Sequence, residues 1–409
     1  MRRSVSILAA ALLLLLAACA HRPDHEAAAP RPPVILVSID GFRPDYLDRG
    51  ITPNLTALAE RGVRGEMRPS FPSKTFPNHY TLVTGLRPDR NGIVDNTMED
   101  PGPPPRRFAM SDRSQVTDAF WWNDAKPIWV SAEEAGVRTA PVFWPGSEAP
   151  IRGVRPSHWT AFNQALSGTE RVDAALSLLD LPAAERPGFL TLYFDEVDSY
   201  GHWNGPGSAE VNAAVGRTDA AIGRLVEGLK ARGIEADLVV VADHGMAETR
   251  AERVIVLEDV VRADAGRALT MGAFLTYVPA PGREAEAEAA LLAARPHLQC
   301  WRKAEIPARF HYGRHRRVAP IFCLAETGWE VAPRSGLAKR RAVGGNHGFD
   351  PFAPEMRAVF VAGGPDFRQG VRAPVFDNVD VYPLLAKLLG VKAEPGDGDL
   401  RELGPTLAR

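Results

Sequence analysis

The amino-acid sequence predicts an α/β protein built on a mostly parallel β-sheet with helices on both faces. Four apolar runs have the length of buried strands: Val34–Ile39, Phe189–Phe194, Leu238–Ala242 and Ala358–Ala362. Helical patterns separate them, for example at Val172–Leu179 and Ala209–Leu229. Strands that alternate with helices in this way are typical of a parallel sheet that is covered on both faces.

Three of these strands end in acidic residues. Asp40 follows the first strand, Asp198 lies shortly after the second, and Asp243 and His244 follow the third. Open sheets of this class bind ligands at the carboxyl ends of their strands. We therefore expect these side chains to meet at a single site.

The segment from about 251 to 340 has a different pattern and predicts a small α+β insertion beside that site. Its candidate elements are strands at Ala273–Val278 and Pro320–Leu324, a helix at Glu284–Ala294 and a basic, aromatic stretch at Trp301–Arg317. Cys300 and Cys323 would form a disulfide in an oxidising compartment or remain two buried thiols, and the sequence leaves both alternatives open.

The N-terminus has the layout of a secretory signal, in which two arginines precede the apolar run Ile7–Ala18. The run is too short to span a bilayer. Its end, Leu16–Cys19, resembles a bacterial lipobox, which implies a signal peptide over residues 1–18 and acylation of Cys19. An ordinary signal peptide with a chance cysteine is the alternative.

Residues 19–33 are rich in alanine and proline and predict a tether, which leaves residues 34–409 as the main domain. Ala20 follows the cysteine, so the lipobox resemblance implies a bacterial envelope protein that is lipid-anchored to the outer membrane and faces the periplasm. The formal net charge is only −2, which argues against a general nucleic-acid binder.

Six side chains stand out as potential metal ligands: Asp40, Asp198, His202, Asp243, His244 and His347. Asp-His pairs in loops are usually surface features, but six such residues in strand-end and glycine-rich settings form a joint pattern. A mixed carboxylate and imidazole set suits zinc or a similar divalent ion.

Thr75 lies in a proline-flanked segment that is followed by a helical run. A hydroxyl at a helix N-terminus lies where backbone N–H groups favour an oxyanion. A metal-bound hydroxyl in that position can attack phosphorus. An ordinary N-cap is the alternative, and this segment alone does not exclude it.

Seven segments carry a family resemblance and occur in the family's order: Val37–Arg43, Phe71–Tyr80, Gly92–Met98, Trp144–Glu148, Asp198–His202, Val241–Met246 and Asn346–Phe349. Together they resemble the nucleotide pyrophosphatase/phosphodiesterase family of the alkaline phosphatase superfamily. The resemblance covers nearly all of the chain from Val34 onward and implies an alkaline-phosphatase-like core.

The resemblance implies two divalent metal ions, most simply Zn²⁺. One would be held by Asp198, His202 and His347, and the other by Asp40, Asp243, His244 and the hydroxyl of Thr75. Thr75 would form a phospho-threonine intermediate, and Asn96 would bind a non-bridging phosphate oxygen. The expected reaction is hydrolysis of nucleotide phosphodiester or pyrophosphate bonds to nucleoside 5′-monophosphates.

Three further residues are expected to bind substrate. Phe76 resembles the family residue that stacks on a nucleobase, and Trp159 falls where many members carry a tyrosine. Lys74 precedes the nucleophile and could contact the phosphate. Two alternative functions remain at this point: a phosphonate hydrolase or phosphomonoesterase of the same superfamily, and a non-catalytic envelope lipoprotein, against which the complete ligand set argues.

Overall fold

The structure, a computed structural model, describes residues 31–408. Its α-helices are α1 Pro53–Glu60, α2 Thr75–Thr84, α3 Pro88–Asn91, α4 Arg113–Val116, α5 Ile128–Glu134, α6 Gly168–Leu179, α7 Glu196–Asn204, α8 Ala209–Ala231, α9 Glu284–Leu291 and α10 Val381–Leu389. Its strands are β1 Val34–Ile39, β2 Val63–Arg68, β3 Thr97–Asp100, β4 Arg106–Ala109, β5 Thr139–Val142, β6 Phe189–Phe194, β7 Asp237–Val241, β8 Ala247–Arg250, β9 Val254–Val256, β10 Gly266–Thr270, β11 Phe274–Pro279, β12 Leu298–Arg302, β13 Ile321–Ala325, β14 Glu330–Ala332, β15 Val343–Asn346, β16 Ala358–Gly363, β17 Val371–Arg372 and β18 Phe376–Asp377.

The main sheet has eight strands in the order β17-β2-β16-β7-β1-β6-β5, and β18 also pairs with β2. Strands β7, β1, β6 and β5 form a continuous parallel block. Among the strands of this sheet, β16 alone runs antiparallel to its two neighbours. The prediction of a mostly parallel sheet is therefore confirmed.

Both faces of the sheet are covered. Strands β1, β6, β7 and β16 are buried at every position, and successive side chains of a strand point to opposite faces. Helix α8 packs against α1, α6 and α7, while α10 packs against α2 and α5. The α/β fold class is confirmed. Strand β2 escaped prediction because its burial alternates between buried and half-buried positions, so it has no continuous apolar run.

The segment predicted as an insertion lies between β8 and β15, which pair as an antiparallel ribbon. It contains a four-stranded sheet in the order β10-β11-β13-β12 and helix α9. A second, smaller apolar cluster is formed mostly by its residues, together with Phe349 and Met356. Helix α9 ends at Leu291 rather than at the predicted Ala294. Ala293 and Ala294 are exposed, and Pro296 disfavours helical geometry in the residue before it.

The two downstream cysteines form a disulfide in the structure. Cys300 on β12 is directly opposite Cys323 on β13, and their sulfur atoms are bonded. This selects one of the two alternatives that the sequence left open.

The predicted signal peptide over 1–18, the predicted acylation site Cys19 and most of the predicted tether over 19–33 lie outside the described residues. Over residues 31–408, no helix combines the length and the apolar character that crossing a membrane requires.

Candidate active site

The predicted ligands converge at the carboxyl ends of the three neighbouring strands β7, β1 and β6. Asp40 directly follows β1, and Asp243 and His244 follow β7 after the single residue Ala242. Asp198 and His202 lie four residues apart on α7, which begins two residues after β6, and therefore share one face of that helix. The sheet topology thus explains why residues far apart in sequence meet.

The first ligand group consists of Asp40, Asp243 and His244, all buried. His244 Nε2 lies 2.9 Å from Asp243 Oδ2 and 3.4 Å from Asp40 Oδ1. Gly41 permits this approach. Its backbone is left-handed at φ +68°, its N–H donates to Asp243 Oδ1 at 3.3 Å, and an added Cβ would lie 3.1 Å from the Cα of Asp198.

The second group is centred on Asp198. Its Oδ1 lies 3.6 Å from His347 Nε2 and 3.5 Å from His202 Nε2. The imidazole rings of His244 and His347 stack with centroids 3.5 Å apart, so ligand atoms of Asp198, His244 and His347 all lie within 4.8 Å of one another. His244 therefore lies between the two groups, while His202 approaches Asp198 from a more exposed position.

The donor atoms are arranged to bind cations. Three carboxylate oxygens are buried and have no hydrogen-bond partner among residues 31–408: Asp40 Oδ1, Asp198 Oδ1 and Asp243 Oδ2. The three histidines bring Nδ1 within 2.8–2.9 Å of a backbone carbonyl oxygen, which belongs to Gly345 for His202, Gly245 for His244 and Ser73 for His347. A proton on Nδ1 leaves the Nε2 lone pair available, as in histidines that bind metals. The residues therefore fit two divalent ions.

The electrostatics of the cluster also favour a cation. Burial, together with repulsion from Asp243 and Asp198, raises the pKa of Asp40 well above its usual range. Burial and the proximity of His244 lower the pKa of His347 well below its usual value. Crowded carboxylates and neutral imidazoles are stabilised when a divalent ion is present among them.

Thr75 is the first residue of α2, where N–H groups have no partner within the helix. Its Oγ1 lies 3.4 Å from His244 Nε2, and the side chain is buried. The hydroxyl therefore lies next to the first ligand group, and its role as a nucleophile stays a prediction.

Asn96 lies beside Thr75, and a hydrogen bond from the neighbouring Phe76 fixes the orientation of its side-chain amide. Asn96 Oδ1 accepts a hydrogen bond from the Phe76 N–H at 2.9 Å, and the Asn96 N–H donates to Asp95 Oδ1 at 2.7 Å. Because its carbonyl oxygen is already engaged, Asn96 offers its Nδ2 as a donor. The structure thus brings the predicted phosphate ligand within one residue of the predicted nucleophile.

Lys74 directly precedes Thr75 and is half-buried. Its Nζ lies 5.5 Å from the centre of the Phe274 ring. Burial lowers the pKa of its ammonium group, although the carboxylates of Asp95 and Asp198 oppose this effect.

The two predicted base-stacking residues have different surroundings. Phe76 is 9% exposed and packs against Phe108 and Trp122. Trp159 is 42% exposed, and its ring lies 5.5 Å from the guanidinium of Arg155. Among residues 31–408, the ring contacts of Phe76 are with Phe108 and Trp122 and do not include Trp159.

Phe162 is an exposed aromatic residue that sequence reasoning missed. It is 41% exposed, and its ring lies 5.9 Å from Tyr193, whose hydroxyl binds Asp40. The Phe162 N–H donates a hydrogen bond to Glu148 Oε1 at 3.2 Å, and this bond holds the chain around Phe162 in place. The Trp-Pro-Gly-Ser-Glu segment was recognised in the sequence, but its role as an anchor for Phe162 depends on a loop conformation.

Two buried residues that support the ligands were also missed. The hydroxyl of Tyr193 donates to Asp40 Oδ2 at 2.5 Å. His79 contacts the Thr75 carbonyl oxygen at 2.8 Å and Ser38 Oγ at 2.8 Å, and its Nδ1 is 3.5 Å from Asp243 Oδ2. A tyrosine within a buried strand needs a partner for its hydroxyl, which was the available signal.

The segment between β8 and β15 also reaches the site. Thr270 donates to Asp95 Oδ2 at 2.6 Å, next to Asn96. Glu330 accepts a hydrogen bond from the side chain of Asn346 at 2.5 Å, and Asn346 Oδ1 accepts from the N–H of His347 at 2.8 Å. These contacts tie Asn96, the predicted phosphate ligand, and His347, a predicted metal ligand, to the segment.

The fold and the sequence match known proteins. A model of the type I phosphodiesterase / nucleotide pyrophosphatase family matches residues 34–350. The chain is 39% identical over 386 residues to an uncharacterized pyrophosphatase/phosphodiesterase of Schizosaccharomyces pombe, with 89% of this chain and 78% of that protein covered. Over 392 residues it is 35% identical to ectonucleotide pyrophosphatase/phosphodiesterase family member 3 of Bos taurus, with 93% of this chain and 44% of that protein covered.

Among solved structures, murine ectonucleotide pyrophosphatase / phosphodiesterase 5, as an inactive variant in complex with AMP, gives a TM-score of 0.87 at 32% identity. The match covers 92% of this chain and 100% of that chain. The chain spans less than half the length of its bovine relative. The chain belongs to the type I phosphodiesterase / nucleotide pyrophosphatase family, within the alkaline phosphatase superfamily.

Proposed function

We propose that this protein is a two-metal phosphodiesterase that hydrolyses nucleotide phosphodiester or pyrophosphate bonds to nucleoside 5′-monophosphates. The observation that carries the proposal is the pair of ligand groups beside a hydroxyl: Asp40, Asp243 and His244 lie together, Asp198 and His347 adjoin them, and Thr75 Oγ1 is 3.4 Å from His244. A helix N-terminus, a hydroxyl and two cation sites together can support transfer of a phosphoryl group.

Asp198, His202 and His347 would hold one ion, and Asp40, Asp243 and His244 would hold the other next to Thr75. When bound, two divalent ions would supply Lewis-acid stabilisation of the attacking and leaving oxygens. We propose Zn²⁺, because the donors are a mixture of imidazole nitrogens and carboxylate oxygens.

Thr75 acts as the nucleophile in this proposal. Its oxygen forms a bond to phosphorus while the bond from phosphorus to the leaving oxygen breaks, the hydroxyl proton passes to water, and the leaving group is protonated by solvent. Water then adds to phosphorus and the bond to Thr75 breaks, which regenerates the hydroxyl and releases the 5′-monophosphate. The Nδ2 of Asn96 and the N–H of Thr75 would donate to the non-bridging oxygens throughout.

A diester is favoured over a monoester because Asn96 is neutral. A monoester carries one more negative charge on the phosphoryl group, and an amide donor adds no compensating charge. Lys74 would contact the substrate phosphates and is the one nearby side chain in our assignment that could offset that charge.

An aromatic pair would hold the nucleobase of the substrate. Phe76 directly follows the nucleophile, and we propose Phe162 as the second ring, because Phe162 is exposed and touches Tyr193 next to Asp40. Trp159 remains the alternative second ring. The murine relative that was solved with AMP supports a nucleotide as the substrate.

The test is the ratio of kcat/KM for nitrophenyl thymidine 5′-monophosphate to kcat/KM for nitrophenyl phosphate, with phosphonoacetate as a third substrate. We expect a ratio well above one and no release of phosphate from phosphonoacetate. A ratio below one would move the phosphomonoesterase alternative to first place. Chelation should abolish turnover, Zn²⁺ should restore it, and metal analysis should find about two ions per active chain.

We also propose that the chain is a bacterial lipoprotein, cut before Cys19, acylated on that thiol and held in the outer membrane facing the periplasm. The Leu16–Cys19 resemblance to a lipobox supports this. Metabolic labelling with a fatty-acid probe should mark the wild type and not Cys19→Ala. An unlabelled wild type would exclude the anchor.

A further inference from the structure

Two arginines lie opposite each other on neighbouring strands of the main sheet. Strands β2 and β16 are antiparallel, and Met67 pairs with Ala358, so the next residues along, Arg68 and Arg357, are directly opposed. Because β16 is also antiparallel to β7, this end of β2 lies at the same sheet edge as the metal ligands. Like charges at directly opposed positions destabilise a sheet. A negative charge bound between the two arginines would therefore be stabilising.

The carboxylates near this arginine pair compensate its charge only in part. Asp377, on the neighbouring strand β18, forms ion pairs with both Arg68 and Arg87. Within residues 31–408, no carboxylate forms an ion pair with Arg357. Glu66 lies two residues before Arg68, on the same face of β2, and acts on Arg357 only from beyond ion-pair distance. These three arginines and two acids together carry one net positive charge.

The two guanidinium groups also have donors without acceptors. Arg68 Nε and Arg357 Nη1 are buried, and neither has a hydrogen-bond partner in the part of the chain from 31 to 408. Burial, together with repulsion from Arg68, lowers the pKa of Arg357. Buried donors without an acceptor are rare in folded proteins. An anion that bridged the two side chains would accept from both donors and neutralise the excess charge.

A solvent-exposed ring covers the Arg68 guanidinium. The centre of the Phe352 ring lies 4.7 Å from Arg68 Cζ and 5.2 Å from Arg309 Cζ, and Phe352 is 44% exposed. Arg309 itself is paired with Asp350 at 2.6 Å. Exposed side chains change rotamer within picoseconds to nanoseconds. Rotation of the Phe352 side chain therefore gives a small ligand access to the arginine pair from solvent.

The arrangement of donors suits a tetrahedral oxyanion. A guanidinium group presents a planar fork of N–H donors that matches the spacing of phosphate oxygens. Directly opposed residues of antiparallel strands have Cα atoms about 4.5–5.5 Å apart, so two forks can converge on one anion. A monocarboxylate has only two oxygens, which a single fork engages, whereas phosphate presents oxygens in several directions and can bridge both forks.

We propose that Arg68 and Arg357 bind an inorganic oxyanion of the phosphate class, at a site separate from the metal ligands. The site lies at the base of two active-site loops. The chain that leads to Thr75 begins after Arg68, and the chain that follows His347 ends at Arg357. A bound anion holds the ends of both loops together through charge-assisted hydrogen bonds. Binding of this anion does not depend on the proposed phosphodiesterase activity.

Calorimetric titration of the metal-loaded protein with inorganic phosphate counts the sites. The metal ions should bind one phosphate, which inhibits turnover of the nitrophenyl diester, and the arginine pair should bind another. We expect about two phosphates per chain for the wild type and about one for Arg357→Met, with equal inhibition constants.

Replacing chloride by phosphate at equal ionic strength should raise the Tm of the wild type by about 2 °C more than that of Arg357→Met. The general stabilisation by phosphate, which is excluded from protein surfaces, is common to both proteins and cancels in this comparison.

Arg372→Met is the matched control, because Arg372 is an exposed arginine of the same sheet, paired in register with Arg64 and not with Arg68. It should match the wild type in both measurements. Arg357→Lys keeps the charge but lacks the fork, so it should fold and bind the second phosphate more weakly than the wild type, which decides the question even where Arg357→Met does not fold.

One phosphate per chain in the wild type, or an equal rise in Tm in the wild type and both Arg357 variants, would overturn the site. An equal rise with acetate would show a carboxylate site and overturn the phosphate class. A wild type that binds the second phosphate but does not hydrolyse the nitrophenyl diester would contradict the proposed function and support the anion site.

Discussion

The hydroxyl of Tyr193 donates to Asp40 Oδ2 at 2.5 Å inside the core, and Tyr193→Phe would remove that donor alone. The ring would keep its edge contact with His79, at 5.1 Å between centroids, and its contact with Phe162. A hydrogen bond to a charged group contributes about 1.5–3 kcal/mol. Residues that orient metal ligands typically change metal affinity by about 10- to 100-fold, so we expect a loss of Zn²⁺ affinity of that size.

Tyr46→Phe is the matched control. Tyr46 is also buried, and its hydroxyl has no hydrogen-bond partner within residues 31–408, so its removal costs no hydrogen bond. Competition with a chelator of known affinity would measure Zn²⁺ binding to both variants. The kcat/KM for the nitrophenyl diester would show how a change in Zn²⁺ binding affects turnover. Equal Zn²⁺ affinity in Tyr193→Phe, Tyr46→Phe and the wild type would refute the idea that Tyr193 orients Asp40.

Three further variants test separate parts of the site and the fold. Glu330→Ala should weaken Zn²⁺ binding about 10-fold, because it frees the Asn346 side chain that holds His347. Glu330→Gln keeps an acceptor and should restore most of the lost affinity. Titration with a chelator measures the Zn²⁺ affinity of both variants. Phe162→Ala should raise KM for nucleotide diesters about 10-fold in steady-state kinetics, and a larger effect of Trp159→Ala would make Trp159 the second ring. Burial and the nearby Asp366 raise the pKa of Asp237 to about 6, above its ordinary 3.8. This carboxyl therefore destabilises the fold as the pH rises through that interval. Asp237→Asn should stabilise the protein by about 1–2 kcal/mol at pH 8 and hardly at all below pH 4. Thermal melts of both proteins at the two pH values would show whether the difference disappears in acid.

The parallel core was predictable because its strands are buried on both faces. Val34–Ile39 and Phe189–Phe194 are continuous apolar runs, and the structure gives both with the predicted bounds. Strand β2 was not predictable in this way, since only alternate positions are buried and its pattern resembles that of a surface segment. The strongest sequence signal therefore came from the strands that also deliver the ligands.

The candidate site was predictable where chemistry is local and not where it depends on packing. Asp243 and His244 are adjacent at a strand end, so their proximity follows from the chain itself. Tyr193 and Glu330 support the site through contacts across 153 residues to Asp40 and across 16 residues to Asn346. Contacts of that kind depend on the register of strands and the docking of the segment between β8 and β15.

Replacement of Thr75 tests the nucleophile most directly. Thr75→Ala removes the hydroxyl beside His244, whereas Thr75→Ser keeps it, and both should retain two bound metal ions. We predict that Thr75→Ala lowers kcat for the nitrophenyl diester by about 1,000-fold or more, as expected when a covalent nucleophile is lost, and that Thr75→Ser keeps turnover within about 10-fold of the wild type. Turnover by metal-loaded Thr75→Ala within a few-fold of the wild type would contradict the mechanism.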